Sequence, residues 1–140
     1  MKLCLDASVL VPLLAADAFT TRAYSLLASS SPVLLVSDFA AAELASALAR
    51  RVRTAELTAN KAREAFADFD GWTARAARRV ETTAADVRAA EAFVRRLDLA
   101  LRAPDALNIA IAQRQGAALA TFDERMAAAA RALSVEVVEA

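Results

Sequence analysis

At 140 residues the chain suits one domain of ordinary size, and 58% hydrophobic residues with only 2 Gly and 3 Pro favour a packed core over low-complexity disorder. Its 17 basic and 17 acidic residues cancel, so a nucleic-acid partner would have to be held by a local patch, not by bulk charge. With no His and 1 Cys, the chain excludes Ser-His-Asp and Cys-His catalysis, His-ligated zinc and an internal disulfide.

Neither a G-x-x-x-x-G-K-[ST] nor a G-x-G-x-x-G loop occurs, so any enzyme here works with carboxylates, hydroxyls and Arg. Among the 17 basic residues only Lys2 and Lys61 are Lys; the rest are Arg, which suits bidentate phosphate contacts. A lone cysteine, no signal-peptide pattern and no apolar run of roughly 18 residues lead to the expectation of a soluble, cytoplasmic protein with no membrane segment.

In chain order, Lys2–Leu5 is a short apolar run read as a buried strand that ends at Asp6. Ser8–Ala15 reads as a helix whose start is left ambiguous by Pro12. Residues 18–29 form a predicted helix with Phe19, Ala23, Leu26 and Leu27 on one face; Pro32 breaks it, and Val33–Val36 is a second strand. Ser37 or Asp38 caps a helix over about 39–53, apolar at first and basic at its end through Arg50, Arg51 and Arg53. A more polar helix over 56–70, anchored by Leu57, Phe66 and Phe69, is expected to stop at Gly71 and Trp72.

Arg79–Glu81 is a weak strand candidate. Thr83–Asp86 fits a capping box, after which Val87, Ala90, Phe93, Val94 and Leu97 recur at helical spacing. Pro104 belongs in the first turn of a helix running to Gln115, with Gly116 as its C-terminal stop. Ala117–Thr121 is a strand, Asp123 opens a helix to about Leu133, and Val135–Val138 is a last strand. Strands alternating with helices along residues 1–140, without repeat or linker, imply one α/β domain with a mostly parallel sheet between helical layers.

The informative residues are acids in apolar surroundings. Asp68, Asp70, Asp86 and Glu91 lie in polar stretches and read as solvated helix faces or caps. Asp6, Glu43, Asp105 and Asp123 differ. Asp6 interrupts Leu3-Cys4-Leu5-Asp6-Ala7-Ser8-Val9-Leu10, and Glu43 is the only charge between Phe39 and Ala49. Asp105 opens a helix apolar on nearly every side, and Asp123 follows an apolar strand. An unpaired buried carboxylate costs several kcal/mol, so each needs a partner or a task.

Each acid is also compatible with a plainer role. Asp6 and Asp123 suit helix N-caps, Asp105 a favourable first-turn acid, and Glu43 a buried pair with an Arg. Their placement nonetheless suggests a shared site at the carboxyl edge of the sheet, where open α/β sheets bind ligands. Two unit charges ~4 Å apart repel by roughly 4 kcal/mol at an effective dielectric of 20, so convergence requires protons or a cation. An all-oxygen acidic set suits Mg²⁺ or Mn²⁺, which can orient a phosphate and acidify an attacking water, making phosphodiester hydrolysis the natural reaction class.

At these residues the chain resembles the PIN-domain family, specifically the VapC-like toxins of type II toxin–antitoxin pairs. Leu5-Asp6-Ala7-Ser8 is similar to the family's first acidic motif and Ala42-Glu43-Leu44 to its second. Ala103–Ala112, with Pro104-Asp105-Ala106-Leu107-Asn108 at its start, is similar to the third and is the most specific stretch. Thr121-Phe122-Asp123-Glu124-Arg125 looks like the fourth. The resemblance implies a three-layer α/β/α fold with a central, mostly parallel sheet. It implies a Mg²⁺- or Mn²⁺-dependent endoribonuclease with Asp6 and Asp105 as first ligands, and Glu43 and Asp123 completing the pocket. Ser8 and Thr121 match motif hydroxyls, and Asn108 stands where an aromatic residue or His is common; Ser37-Asp38 stands where a Pro is often found. Implied partners are RNA, a VapB-like antitoxin that blocks the pocket, and a second copy in a homodimer.

Arg50, Arg51 and Arg53 form one basic cluster and Arg75, Arg78 and Arg79 another; each reads as a solvated helix end or as a phosphate contact. Two other functions compete: a PIN-like module that binds RNA or a partner without catalysis, and a phosphatase with an aspartyl nucleophile. The second usually has another Asp two residues after the first, where Ser8 stands here.

Overall fold

The structure, a computed structural model, describes residues 1–28 and 31–138. Its frame follows from two-residue alternation in short apolar strands. In β1 (Lys2–Leu5), Leu3 and Leu5 point to one face and Cys4 to the other. Leu34 and Val36 against Leu35 in β2 (Val33–Ser37), and Ala118 and Ala120 against Leu119 in β4 (Ala118–Ala120), repeat that division. Parallel pairing sets Leu3 beside Leu34 and Ala118, and Cys4 beside Leu35 and Leu119, so each face carries one continuous apolar surface.

Edge strands β3 (Ala77–Val80) and β5 (Val137–Val138) complete a fully parallel sheet in the order β3-β2-β1-β4-β5. The chain first moves outward from β1 through β2 to β3. Its helices α1 (Ala7–Leu14), α2 (Thr20–Ala28), α3 (Asp38–Arg53) and α4 (Ala59–Ala76) cover one face. It then returns past β1 to β4 and β5, and α5 (Ala84–Val94), α6 (Ala103–Arg114) and α7 (Glu124–Ala132) lie on the other. Crossovers of constant hand must change faces when their direction reverses, so β1 and β4 flank the switch point of the sheet. The expected α/β/α architecture is therefore observed.

Local signals placed most helices well. Asp6, Ser37, Thr58, Thr83 and Asp123 each accept a backbone N–H at a helix start, and Thr83 with Asp86 closes the expected capping box. Gly116 takes φ 61° just after α6, the left-handed turn that a C-terminal glycine supplies. Pro12 sits inside α1.

Four expectations need correction. The helix expected to stop at Gly71 runs on to Ala76, because Trp72 packs against the core and Thr73 is buried. Gly71 is simply helical, and Arg75 Nη1 lies 3.1 Å from where a Cβ would stand. Phe19 precedes α2 and is 42% exposed, so the apolar face of that helix reduces to Ala23, Leu26 and partly buried Leu27; residue 29 lies outside the described residues. Val87 and Val94 stay at the surface because α5 packs chiefly against α6, and Leu97 lies beyond the end of α5. Asp86 is no solvated acid: it is 2% exposed and forks to Arg114 Nε at 2.7 Å and Nη2 at 2.9 Å. Among the described residues no helix is long and apolar enough to cross a membrane.

Candidate active site

Asp6 is the residue after β1, and its backbone N–H extends the pairing with β4 by donating to Ala120 O at 3.2 Å. Chain continuity thus puts a carboxylate at the switch point. The side chain is 4% exposed and is held by three neutral donors: Ser8 N–H at 3.1 Å and Ser8 Oγ at 2.6 Å on Oδ1, and Thr121 Oγ1 at 2.9 Å on Oδ2. Burial pushes its carboxyl up to about 6. The Ser8 and Thr121 bonds oppose that rise, and the Glu43 charge adds to it.

Thr121 lies just beyond β4 and explains the Thr-x-Asp spacing. Its oxygen accepts from Asp123 N at 3.0 Å while its hydrogen goes to Asp6. Ser8 Oγ likewise accepts from Phe122 N at 2.8 Å. Each hydroxyl has one hydrogen, already committed to Asp6, so the 3.2 Å approach of Ser8 Oγ to Thr121 Oγ1 is a contact between saturated groups. Two loops from adjacent strands are locked around one carboxylate.

Glu43 stands in the second turn of α3 and Asp105 in the first turn of α6, on opposite sides of the sheet but both at its carboxyl edge. Asn108, 3% exposed, joins the layers: its Nδ2 donates to Glu43 Oε1 at 2.9 Å and to Pro104 O at 3.1 Å. Burial pushes the Glu43 carboxyl above its usual range; Asn108 offsets part of this and the Asp105 charge adds to it. The buried Arg partner considered for Glu43 is replaced by this amide.

Asp105 is 6% exposed and accepts from Arg102 N–H at a long 3.4 Å. Arg102 Nε lies 3.7 Å from the same oxygen, but that side chain is 77% exposed. Arg102 is thus a rim cation rather than a plug, and the sequence carries no signal for it because an Arg at the N-cap, two residues before a first-turn proline, makes no side-chain cap. Asp123 serves as the N-cap of α7, with Oδ1 accepting from Arg125 N and Met126 N, both at 3.0 Å; the cap occupies one of its two oxygens. The supporting residues Ser8, Thr121 and Asn108 all contact an acid or its motif directly.

The structure joins Asp6, Ser8, Thr121 and the backbone of Asp123 in one network, Glu43 and Asn108 in another, and links Asp6 to Glu43 and Glu43 to Asp105 by charge. It does not draw the acids to a point: among the described residues no three Asp, Glu or Cys side chains are close enough to enclose a metal ion. The donor chemistry still fits a hard divalent cation, since the crevice offers only oxygen ligands and its like charges are not cancelled by a buried cation. Of the basic clusters, Arg50, Arg51 and Arg53 end α3 at the opposite edge of the sheet, where Arg51 pairs with Asp17 at 3.3 Å. Arg79 pairs with Asp38 at 3.3 Å.

The chain has no significant match among curated proteins. Solved structures are similar over almost the full length. A sarcin-ricin loop cleaving toxin of Mycobacterium tuberculosis, VapC20, shares 25% identity at a TM-score of 0.76, covering 99% of each chain. VapBC2 of Rickettsia felis, bound to a DNA fragment from its promoter, shares 15% at 0.73, covering 99% of this chain and 98% of that one. FitAcB of Neisseria gonorrhoeae shares 19% at 0.67, covering 98% and 96%. Residues 3–132 match the PIN domain, and the chain belongs to the PIN-domain family.

Proposed function

We propose that the chain is a metal-dependent endoribonuclease acting as the toxin of a toxin–antitoxin pair. The observation that carries this reading is Asp6. It is a buried carboxylate at the switch point, held only by neutral donors, with the charges of Glu43 and, through it, Asp105 close by. Asp6 and Asp105 would hold Mg²⁺ or Mn²⁺ first, with Glu43 and the second oxygen of Asp123 completing the set. A divalent cation there supplies charge for the scissile phosphate and makes an attacking water more acidic.

The chain's own groups do the rest. Ser8 and Thr121 fix the rotamer of Asp6, and Asn108 holds Glu43 in place. In-line attack leaves a 5′-phosphate and a 3′-hydroxyl. VapBC2 and FitAcB, which share the fold, support an antitoxin partner, and the sarcin-ricin loop cleaving toxin supports RNA as substrate; a homodimer and a cytoplasmic setting are parts of the same proposal.

One observation favours the alternative, a PIN-like binding module without catalysis: the acids do not close on a point. Incubating the purified protein with RNA and Mg²⁺ or Mn²⁺, with and without EDTA, separates the two. The nuclease reading expects cleavage that EDTA stops and that Asp6→Asn lowers by at least about 10²-fold. Cleavage persisting in EDTA, or surviving the substitution, contradicts it.

A further inference from the structure

One cavity has Thr121, a hydrogen-bond donor to Asp6, in its wall. Its volume is about 600 Å³, and its walls include Phe19, Arg22, Phe122, Glu124 and Arg131. Phe19 and Phe122 stack with ring centroids 5.3 Å apart and planes 28° from parallel. The Arg22 guanidinium carbon lies 4.8 Å from the Phe122 centroid and 5.5 Å from that of Phe19. A large aromatic ring left 42% exposed, under an exposed guanidinium, contributes little to the core. Together the two rings and the guanidinium that lies over them form an exposed stacking surface carrying a positive charge.

We infer that Phe19, Phe122 and Arg22 form a subsite for one unpaired nucleotide next to the scissile phosphate of a single-stranded RNA, the base stacking on the platform and Arg22 taking its phosphate. The inference rests on the nuclease reading and names the form of substrate it requires. Three observations converge. Aromatic and guanidinium planes are the surfaces on which unpaired bases stack, whereas duplex bases are already stacked. A crevice of acids repels a polyanion unless cations flank it; net charge is zero, and Arg22 on the platform adds a cation to Arg102 on the crevice rim. Finally, Thr121 lines this cavity and donates to Asp6 at 2.9 Å, so a single side chain joins the cavity wall to the acidic network.

The test reads binding, not cleavage. A fluorescein-labelled single-stranded oligoribonucleotide is titrated in EDTA with the full chain, Phe19→Ala, Phe19→Tyr and Arg22→Gln, following anisotropy, with a duplex of the same sequence as competitor. Phe19→Ala and Arg22→Gln should each weaken binding about tenfold, Phe19→Tyr should restore it, and duplex should compete poorly. Arg22→Gln alone should lower the salt slope, by about 0.7. Thermal melts identify any variant that unfolds; should Phe19→Ala do so, Arg22→Gln and Phe19→Tyr decide. Unchanged affinity in the folded variants overturns the subsite, as does equal loss for single strand and duplex, or loss confined to a protein partner. Binding losses without cleavage under any metal would keep the subsite and remove the nuclease reading; cleavage with unchanged binding would do the reverse.

Discussion

Asp6 carries the clearest energetic consequence at the residue scale. Its carboxyl is raised from 3.8 to about 6, so folding favours the neutral form. That contribution is whole below about pH 4 and lost as pH rises through about 6, and a shift of this size corresponds to ~3 kcal/mol. In EDTA, the melting temperature should therefore fall between acid and neutral pH, and Asp6→Asn should flatten that fall and raise the melting temperature near about pH 8. Parallel pH curves for the two proteins would show that Asp6 is not strained. Thr121→Val removes a donor from Asp6 and an acceptor from Asp123 N, and should cost about 1–3 kcal/mol in urea unfolding. The backbone bond from Ser8 to Asp6 was legible, because an N-cap carboxylate accepts the N–H two positions on; the bond from the Ser8 hydroxyl was not. The Glu43–Asn108 bond was not, because it spans 65 positions and only the crossing of two helical layers brings it about.

Helices were legible wherever the local signal and the tertiary packing agreed. The capping residues and Gly116 did their work within a few positions of chain, and the structure kept them. Where packing overrode propensity, the structure departs from the expectation: α4 continues through Gly71 because Trp72 and Thr73 have somewhere to go, and Val87 and Val94 lie outside because α5 packs chiefly against α6. Asp86 shows the same limit for charge, since its polar neighbours in sequence hid a partner 28 residues away. Burial alone would raise its carboxyl, but the bonds from Arg114 and Thr83 outweigh that and hold it below the usual range. Arg114→Ala should leave this 2%-exposed acid unpaired and destabilise the α5–α6 pair by about 3 kcal/mol, and adding Asp86→Ala should recover part of the loss. Additive losses in that cycle would mean the ion pair contributes nothing. Gly116→Ala meets no atom within 4 Å, so its expected cost of about 1 kcal/mol is backbone strain alone, measurable by chemical denaturation.

For the molecule as a whole, one topological fact organises the site. The chain reverses direction across β1, which changes the helical face and leaves a crevice over the carboxyl ends of β1 and β4. Motifs at positions 6, 43, 105 and 123 reach that edge because each lies at a strand end or within the first turns of a helix starting there. The edge was legible from alternating strands and helices; how closely the acids approach one another depends on side-chain directions that no sequence pattern encodes. The account's central claim is that these carboxylates share one divalent cation. Its direct test is calorimetric titration of Mn²⁺ into the chelator-stripped protein at neutral pH, beside Asp6→Asn and Asp105→Asn. Saturable binding in the parent chain, lost or weakened at least about tenfold in both variants, is the result expected. No saturable binding, or binding that Asp105→Asn leaves unchanged, would contradict it.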